Sequence, residues 1–176
     1  MAGKRRARGL RWDARIGDLA VYPGRGVTRV TGVEKQTIAD LTVEVLVLTL
    51  LEDESRILIP CENVDTAGLR EVVTRREVGQ VWESLRSARR QRPRGQTWSR
   101  QFRDYQEKLR HGSVFEAAEI LRDLLRLRCE KELSFGEHRL LDLARSLVVH
   151  ELAAAQRVTA TAIEAELKAE IKAPAR

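Results

Sequence analysis

A tryptophan followed by nearby arginines is the feature of this sequence that most clearly indicates a binding site. Trp98 is followed by Arg100 and Arg103, so all three would share the first turns of a helix that starts near the tryptophan. Arginine binds phosphates through paired N–H groups and enters narrow minor grooves, and an aromatic ring beside it can stack on a base or wedge between base steps. Spacing alone leaves a second interpretation open, in which Trp98 packs at a helix start, as we expect for Trp82.

Positive charge is concentrated in two stretches of the chain. Residues 85–112 contain nine basic and two acidic residues, and residues 1–15 contain six basic and one acidic. Because the whole chain has a net charge of +6, the remainder carries −6. Local positive charge of this kind favours a phosphate-facing surface. The alternatives are a solvated charged face for the middle stretch and a disordered arm for the amino-terminal one.

Motifs for catalysis and metal binding are missing from the sequence. It contains no nucleophile elbow and no phosphate-binding glycine loop, and its three histidines do not follow a zinc pattern. Cys61 and Cys129 lie far apart without CxxC spacing, which suits a reducing compartment. We therefore expect no enzyme activity, no catalytic residues, no metal and no cofactor. No apolar run reaches the about 18 residues of a membrane span, so we expect a cytoplasmic protein without membrane association.

The first half of the chain predicts a small antiparallel β-barrel. Its segments are short, rich in β-branched residues and separated by turn residues, and Gly32 indicates a bulge or a bend within one of them. The predicted strands cover 16–23, 27–33, 43–51 and 56–60. An exposed strand edge, at 34–40 or along 43–51, can bind another protein by adding a strand. The alternative is that every edge is closed within the chain.

The second half predicts about five helices. Four capping boxes, in which a hydroxyl and a glutamate three residues later satisfy the first amides, mark helix starts. They are Thr74 with Glu77, Ser113 with Glu116, Ser134 with Glu137, and Thr161 with Glu164. Thr97 can cap a fifth helix, which Gly112 would end in a left-handed conformation. The fold class is therefore α+β, with a flexible basic arm at 1–13, the barrel at 14–70 and a helical domain at 71–172.

Five groups of residues, in order along the chain, resemble the CarD/CdnL family of bacterial RNA polymerase-binding transcription regulators. The resemblance covers roughly 14–170, and five motifs in register are far more specific than one. The groups are Gly17-Asp18 with Val21-Tyr22-Pro23-Gly24 and Gly26-Val27; Pro60 with Gly68-Leu69-Arg70; Thr97-Trp98-Ser99-Arg100 with Glu107-Lys108-Leu109 and Gly112; Ala118-Glu119-Ile120-Leu121-Arg122-Asp123-Leu124; and Leu133-Ser134-Phe135-Gly136-Glu137 with Leu141 and Ala144.

The resemblance implies two binding surfaces. The barrel would be a Tudor-like RNA polymerase-interaction domain, similar to that of the transcription-repair coupling factor, and would dock onto the polymerase β subunit through an exposed strand edge. The helical domain would contact promoter DNA, weakly and with little sequence preference, at the upstream edge of the melted region. Its tryptophan would wedge into the minor groove and favour the open complex. We expect a monomer associated with the nucleoid.

Site residues follow from matching positions and from the basic stretch. For DNA binding we expect Trp98, Arg100, Arg103, Arg89, Arg90, Arg94, His138 and Arg139. For contact with polymerase β we expect Lys35, Gln36, Thr37, Arg56 and Leu58.

Two positions depart from the family pattern. His138 stands where the family often has a basic residue, although Arg139 follows it, and Gln36 stands where a basic partner contact is common. These departures leave three alternatives open. The chain can be a protein-interaction adaptor without productive DNA contact, a divergent paralogue with a changed partner, or a regulator of a particular promoter set that uses its basic arm.

Overall fold

The structure is a computed structural model that describes residues 15–38, 41–87 and 97–172. It divides into two compact units, one ending at Val72 and the other beginning at Val73. The first unit contains the strands and the second contains the helices. The expected α+β fold class is therefore confirmed.

The amino-terminal unit is a curled, four-stranded antiparallel half-barrel. Its strands lie in chain order, β1-β2-β3-β4, and each pairs with the next through a hairpin. Their bounds are β1 Leu19–Tyr22, β2 Gly26–Ile38, β3 Leu41–Leu50 and β4 Arg56–Pro60. The register shifts between Val30 and Gly32, which confirms the predicted bulge.

One face of this sheet carries the core of the unit. Inward side chains from all four strands meet Val64 and Leu69, which follow β4. The strand residues in this core are Ala20, Val30, Leu46, Leu48 and Ile59. A backbone bridge between Val21 and Arg70 covers part of the outer edge of β1. The half-barrel is therefore partly closed by the chain segment that leaves it.

The carboxy-terminal unit contains five helices around a shared apolar core. They are α1 Arg75–Arg86, α2 Trp98–His111, α3 Val114–Glu130, α4 Phe135–Gln156 and α5 Ala160–Lys172. Buried leucines, valines and alanines recur at helical spacing on α3 and α4, and burying each large aliphatic side chain contributes about 1.5–3 kcal/mol. Ile163 and Leu167 insert α5 into the same core.

Local capping chemistry explains most of the helix bounds. Complete capping boxes form at Thr74 and Ser134, and the Ser113 hydroxyl accepts from the Glu116 amide. Gly112 ends α2 at φ 77°, the left-handed conformation that glycine adopts without steric cost. Thr97 is the residue before α2, as expected, but its side chain makes no capping bond.

The fourth predicted capping box, at Thr161, is wrong. The helix begins at Ala160, and the Thr159 hydroxyl accepts from the Ala162 amide. Glu164 instead forms an ion pair with Arg145 of α4. A second hydroxyl residue two positions earlier competes for the same role, and the earlier start places Ile163 in the core.

The capping box of α4 contains a buried carboxylate. Glu137 is fully buried and accepts hydrogen bonds from Lys131 Nζ at 2.7 Å and the Ser134 amide at 2.6 Å. Burial by itself raises the pKa of Glu137, but the hydrogen bonds from Lys131 and Ser134 outweigh it and lower this pKa below its ordinary value. The charged form of Glu137 therefore stabilises the start of α4.

This carboxylate gives a first prediction. Glu137→Gln should lower the free energy of unfolding at pH 7 by about 1–3 kcal/mol, because hydrogen bonds to a charged acceptor weaken when the acceptor is neutral. The pKa is depressed in the folded state, so this stability is present above the unfolded pKa of about 4.3 and is lost as the pH falls through the folded value. Urea unfolding of both proteins at pH 7 and pH 3 measures the difference. A difference that does not shrink at pH 3 contradicts the assignment.

Candidate functional site

The hairpin formed by β2 and β3 extends beyond the rest of the half-barrel. Strand β1 pairs with β2 only from Gly26 to Arg29, and β4 pairs with β3 only from Val45 to Thr49. Residues 32–38 and 41–44 thus form a two-stranded ribbon, whose two outer edges pair with no other strand among the described residues. We call this segment the ribbon. It provides the kind of unpaired edge to which a partner strand can add.

Of the two strand edges proposed from the sequence, one is unpaired in the structure and the other is paired on both sides over most of its length. The segment 34–40 lies on the ribbon as far as Ile38, and residues 39 and 40 are outside the described part of the chain. The segment 43–51 is not an edge over most of its length, because β3 lies between β2 and β4 from Val45 to Thr49. Its nearly continuous apolar sequence reflects burial on both faces, and four consecutive residues, 45–48, are buried.

The five residues proposed to contact polymerase point to opposite faces of the sheet. Residues paired across antiparallel strands share a face, and successive residues of a strand alternate. Gln36, Leu58 and Arg56 pair with Val43, Val47 and Thr49, which places them together on the face opposite the core. Lys35 and Thr37 are on the other face, where Thr37 is within hydrogen-bonding distance of Thr42. The structure therefore brings together three of the five.

An ion pair crosses the face that carries Gln36, Leu58 and Arg56. Arg56 Nη2 lies 2.8 Å from Glu34 Oε1, which links β4 to β2 over the intervening β3. Both side chains are at least half exposed, so the pair contributes at most about 1 kcal/mol. Leu58 beside it is 41% exposed. Glu34 could not be predicted as the partner of Arg56, because the strand register that brings the two together is not visible in the sequence.

Several proposed DNA-contacting residues lie outside the described part of the chain. Arg89, Arg90 and Arg94 fall within 88–96, and for Trp98 the structure describes the backbone, as the first residue of α2, but not the side chain. Arg100 and Arg103 are exposed one turn apart on the same helix. His138 and Arg139 are exposed on the first turn of α4.

The starts of α2 and α4 are in direct contact. A Cβ atom on Gly136 would lie 3.2 Å from two ring carbons of Phe102, so the phenylalanine ring packs on the glycine backbone. Phe102 is one helical turn after Trp98. The contact therefore brings the helix start that carries Arg100 and Arg103 next to the one that carries His138 and Arg139.

An exposed aromatic side chain accompanies these basic residues. Phe135 opens α4 and is 79% exposed, and the Arg139 guanidinium carbon lies 5.9 Å from the centre of its ring. This is the geometry of a cation–π pair. In the sequence, Phe135 stands out only as part of the motif at 133–137. The glycine that follows Phe135 is the signal in the sequence, because a residue without a side chain allows the backbone at 136 to approach another helix. The side chain of Phe135 then remains exposed to solvent.

Comparison with known proteins identifies the family. Residues 80–168, half of the chain, match the family model described as "CarD, C-terminal domain". The chain belongs to the CarD family. Residues 15–73 match a second model, "CarD-like/TRCF RID domain". This CarD-family chain is also 23% identical over 147 residues to "Putative transcription factor YdeB" of Bacillus subtilis (strain 168), covering 82% of this chain and 93% of that protein.

Membership of the CarD family confirms the resemblance noted in the sequence and makes this chain a member of a transcription-factor family rather than an enzyme family. The RID-domain match implies interaction with RNA polymerase in general. Among the described residues, no cluster of histidine, cysteine or acidic side chains could hold a metal ion. No described helix is long and apolar enough to cross a membrane.

Proposed function

We propose that this CarD-family protein binds the RNA polymerase β subunit with its half-barrel and promoter DNA with its helical unit. In this proposal it stabilises the open complex at initiation. One observation carries the proposal: Trp98 opens α2, with Arg100 and Arg103 exposed behind it, in a chain whose two units match the two CarD-family domains in order. In the proposed complex Trp98 wedges into the minor groove at the upstream edge of the melted region.

The basic residues of the two helix starts support the DNA contact. Arg100 and Arg103 on α2 and His138 and Arg139 on α4 are exposed and offer donors to phosphates on either side of the proposed wedge. Phosphate contacts position a protein without reading sequence, so the binding would be weak, salt-dependent and largely sequence-independent. Arg89, Arg90 and Arg94 are proposed as further DNA contacts because they belong to the same basic stretch of the sequence.

Stabilisation of the open complex requires no chemical step. A factor that binds melted DNA better than the closed duplex shifts the equilibrium by its difference in affinity alone. Stacking of one aromatic ring on a base contributes about 1–3 kcal/mol, and about 1.4 kcal/mol changes an equilibrium tenfold. One tryptophan wedge is therefore sufficient for a tenfold effect on promoter opening.

Polymerase docking is proposed for the ribbon and the face that carries Leu58. Unpaired strand edges supply backbone hydrogen bonds to a partner, and alternate side chains supply specificity. Gln36, Arg56 and Leu58 share one face and combine polar, charged and apolar contacts, which is typical of an interface. Lys35 and Thr37 would contact the partner only if it also reaches the other face of the ribbon.

A second candidate function is a protein-interaction adaptor with a changed partner. The specific observation behind it is that Gln36 replaces an expected basic residue while Arg56 on the same face is already paired with Glu34. In that case the basic helix starts would be a protein-binding or solvated surface, and the chain would not bind DNA.

DNA titration across salt concentrations separates the two functions. The logarithm of the DNA-binding constant should fall linearly with the logarithm of the salt concentration. The double variant Arg100→Gln/Arg103→Gln should reduce the magnitude of this slope by about 2, because each lost phosphate contact reduces it by about 0.9. The matched control Arg75→Gln/Arg76→Gln removes the same charge from exposed positions at the start of α1 and should keep the slope. If the unmodified protein does not bind DNA even at low salt, the adaptor is favoured.

The wedge is tested by the lifetime of the open complex. Trp98→Ala should shorten this lifetime by about tenfold, which corresponds to the loss of one stacking interaction of about 1–3 kcal/mol. Trp98→Phe keeps an aromatic ring, so its open-complex lifetime should lie between those of the unmodified protein and Trp98→Ala. Polymerase affinity and the melting temperature should not change. An unchanged lifetime of the Trp98→Ala complex rules the wedge out.

The docking face is tested by a polymerase pull-down. Leu58→Glu should weaken retention of the β subunit by at least about tenfold, because burying an unpaired carboxylate at an interface costs several kcal/mol. Leu51→Glu is the matched control, since Leu51 is 36% exposed at the turn after β3. Both variants should fold. Equal retention of polymerase by the two variants means that this face does not dock.

A further inference from the structure

A chain of buried hydrogen bonds runs through the helical unit to the first turn of α2. Gln101 Nε2 donates to the Tyr105 hydroxyl at 2.7 Å, and this hydroxyl donates to Asp123 Oδ2 at 3.1 Å. The other oxygen of Asp123 accepts from Nε and Nη2 of Arg122 at 3.0 and 2.9 Å. Arg122 Nη1 donates to the Ser84 carbonyl at 3.0 Å. We call Gln101, Tyr105, Asp123 and Arg122 the polar chain.

Three of the four residues of the polar chain are buried, and the side chain of the fourth, Asp123, is 13% exposed. Arg122 is 4% exposed, and Gln101 and Tyr105 are also buried. Among the described residues, every buried side-chain nitrogen and oxygen has a hydrogen-bond partner. Apolar residues of similar size would pack here at little cost or even increase stability, so the polar chain is better explained by the geometry it imposes.

The polar chain joins α3 to the helices on either side of residues 88–96. On one side, the bond between Tyr105 and Asp123 ties α2 to α3 two turns after Trp98, and Gln101 supports the Tyr105 hydroxyl from within α2. On the other side, Arg122 binds the Ser84 carbonyl in the last turn of α1, and Arg126 Nη2 binds the Ser87 carbonyl at 2.6 Å. Helix α3 therefore binds both the end of α1 and the helix that begins at Trp98.

Hydrogen bonds between α2 and α3 restrict the rotation of α2 about its axis, which apolar packing alone does not. Apolar contacts are non-directional and tolerate small rotations of a helix about its axis. At a helix radius of about 5–6 Å including side chains, a rotation of about 10° moves an outer atom by about 1 Å. Displacements of this size are enough to disrupt a contact that requires defined geometry.

We propose that the polar chain positions Trp98 for promoter opening, by fixing the rotation of α2 on α3. Tyr105, Asp123 and Arg122 are then positioning residues that do not touch DNA themselves. This inference rests on the proposed function, because it assigns a role to residues that support the wedge. It predicts that the effect of the polar chain on promoter opening passes entirely through residue 98.

The test is a double-mutant cycle between the polar chain and the wedge. Tyr105→Phe keeps the ring and removes the hydroxyl that joins Gln101 to Asp123. It should shorten the open-complex lifetime by about fivefold or more at temperatures well below melting, with DNA and polymerase affinities unchanged. In a Trp98→Ala background the same change should have no further effect, because coupled residues are not additive.

A matched variant separates positioning from general stability. Ile163→Val shortens a fully buried side chain of α5 outside the polar chain and should lower stability by about 1 kcal/mol without changing the open-complex lifetime. Gln101→Met removes a bond within α2 and keeps the bond between Tyr105 and Asp123 that joins α2 to α3, so it should leave the lifetime close to that of the unmodified protein. Asp123→Asn replaces the charged acceptor of the Tyr105 hydroxyl with a weaker neutral one and should shorten the lifetime, and it serves as the readout if the tyrosine variant does not fold.

Three results would overturn the inference. If Tyr105→Phe and Asp123→Asn leave the lifetime unchanged while Trp98→Ala shortens it, the positioning role fails and the proposed function stands. If the Tyr105→Phe effect persists in full in the Trp98→Ala background, the polar chain does not act through Trp98. If Trp98→Ala itself has no effect, the wedge fails and the positioning role fails with it.

Discussion

Helix α3 has no exposed residue from Val114 to Leu127, and three of the other helices of its unit pack against it. It packs against α1, α2 and α4, and nine of its residues are buried, including one arginine. Burial of an arginine is costly unless its hydrogen bonds are satisfied, so the groups that meet Arg122 are constrained in direction as well as distance. The apolar surface of α3 stabilises the unit, and the polar groups beside Arg122 determine which arrangement of its neighbours is stable.

The features that could be predicted from the sequence are those set by local chemistry. The capping boxes at Thr74 and Ser134, the left-handed Gly112 and the bulge beside Gly32 all follow from a few adjacent residues. The Thr161 box failed for a related reason. Thr159 and Thr161 are both hydroxyl residues suited to a cap, and the capping rules alone do not choose between them; in the structure Thr159 caps the helix.

The candidate surfaces were less predictable, because they depend on register and tertiary contact. Lys35, Gln36 and Thr37 are adjacent in sequence, yet strand alternation sends the middle residue to the opposite face. The pairing of Arg56 with Glu34 spans three strands, and the packing of Phe102 on Gly136 joins two helix starts that are far apart in the chain. The sequence motifs identified the family, whereas the arrangement of its side chains required the fold.

The contact between Phe102 and Gly136 also has an evolutionary consequence. A Cβ atom at position 136 would require the ring to move by a few tenths of an ångström, so the sizes of the two residues are linked. Loss of the phenylalanine would leave a gap between the helix starts. The residues at positions 102 and 136 should therefore covary among relatives, and this covariation would indicate the contact between α2 and α4 from sequences alone.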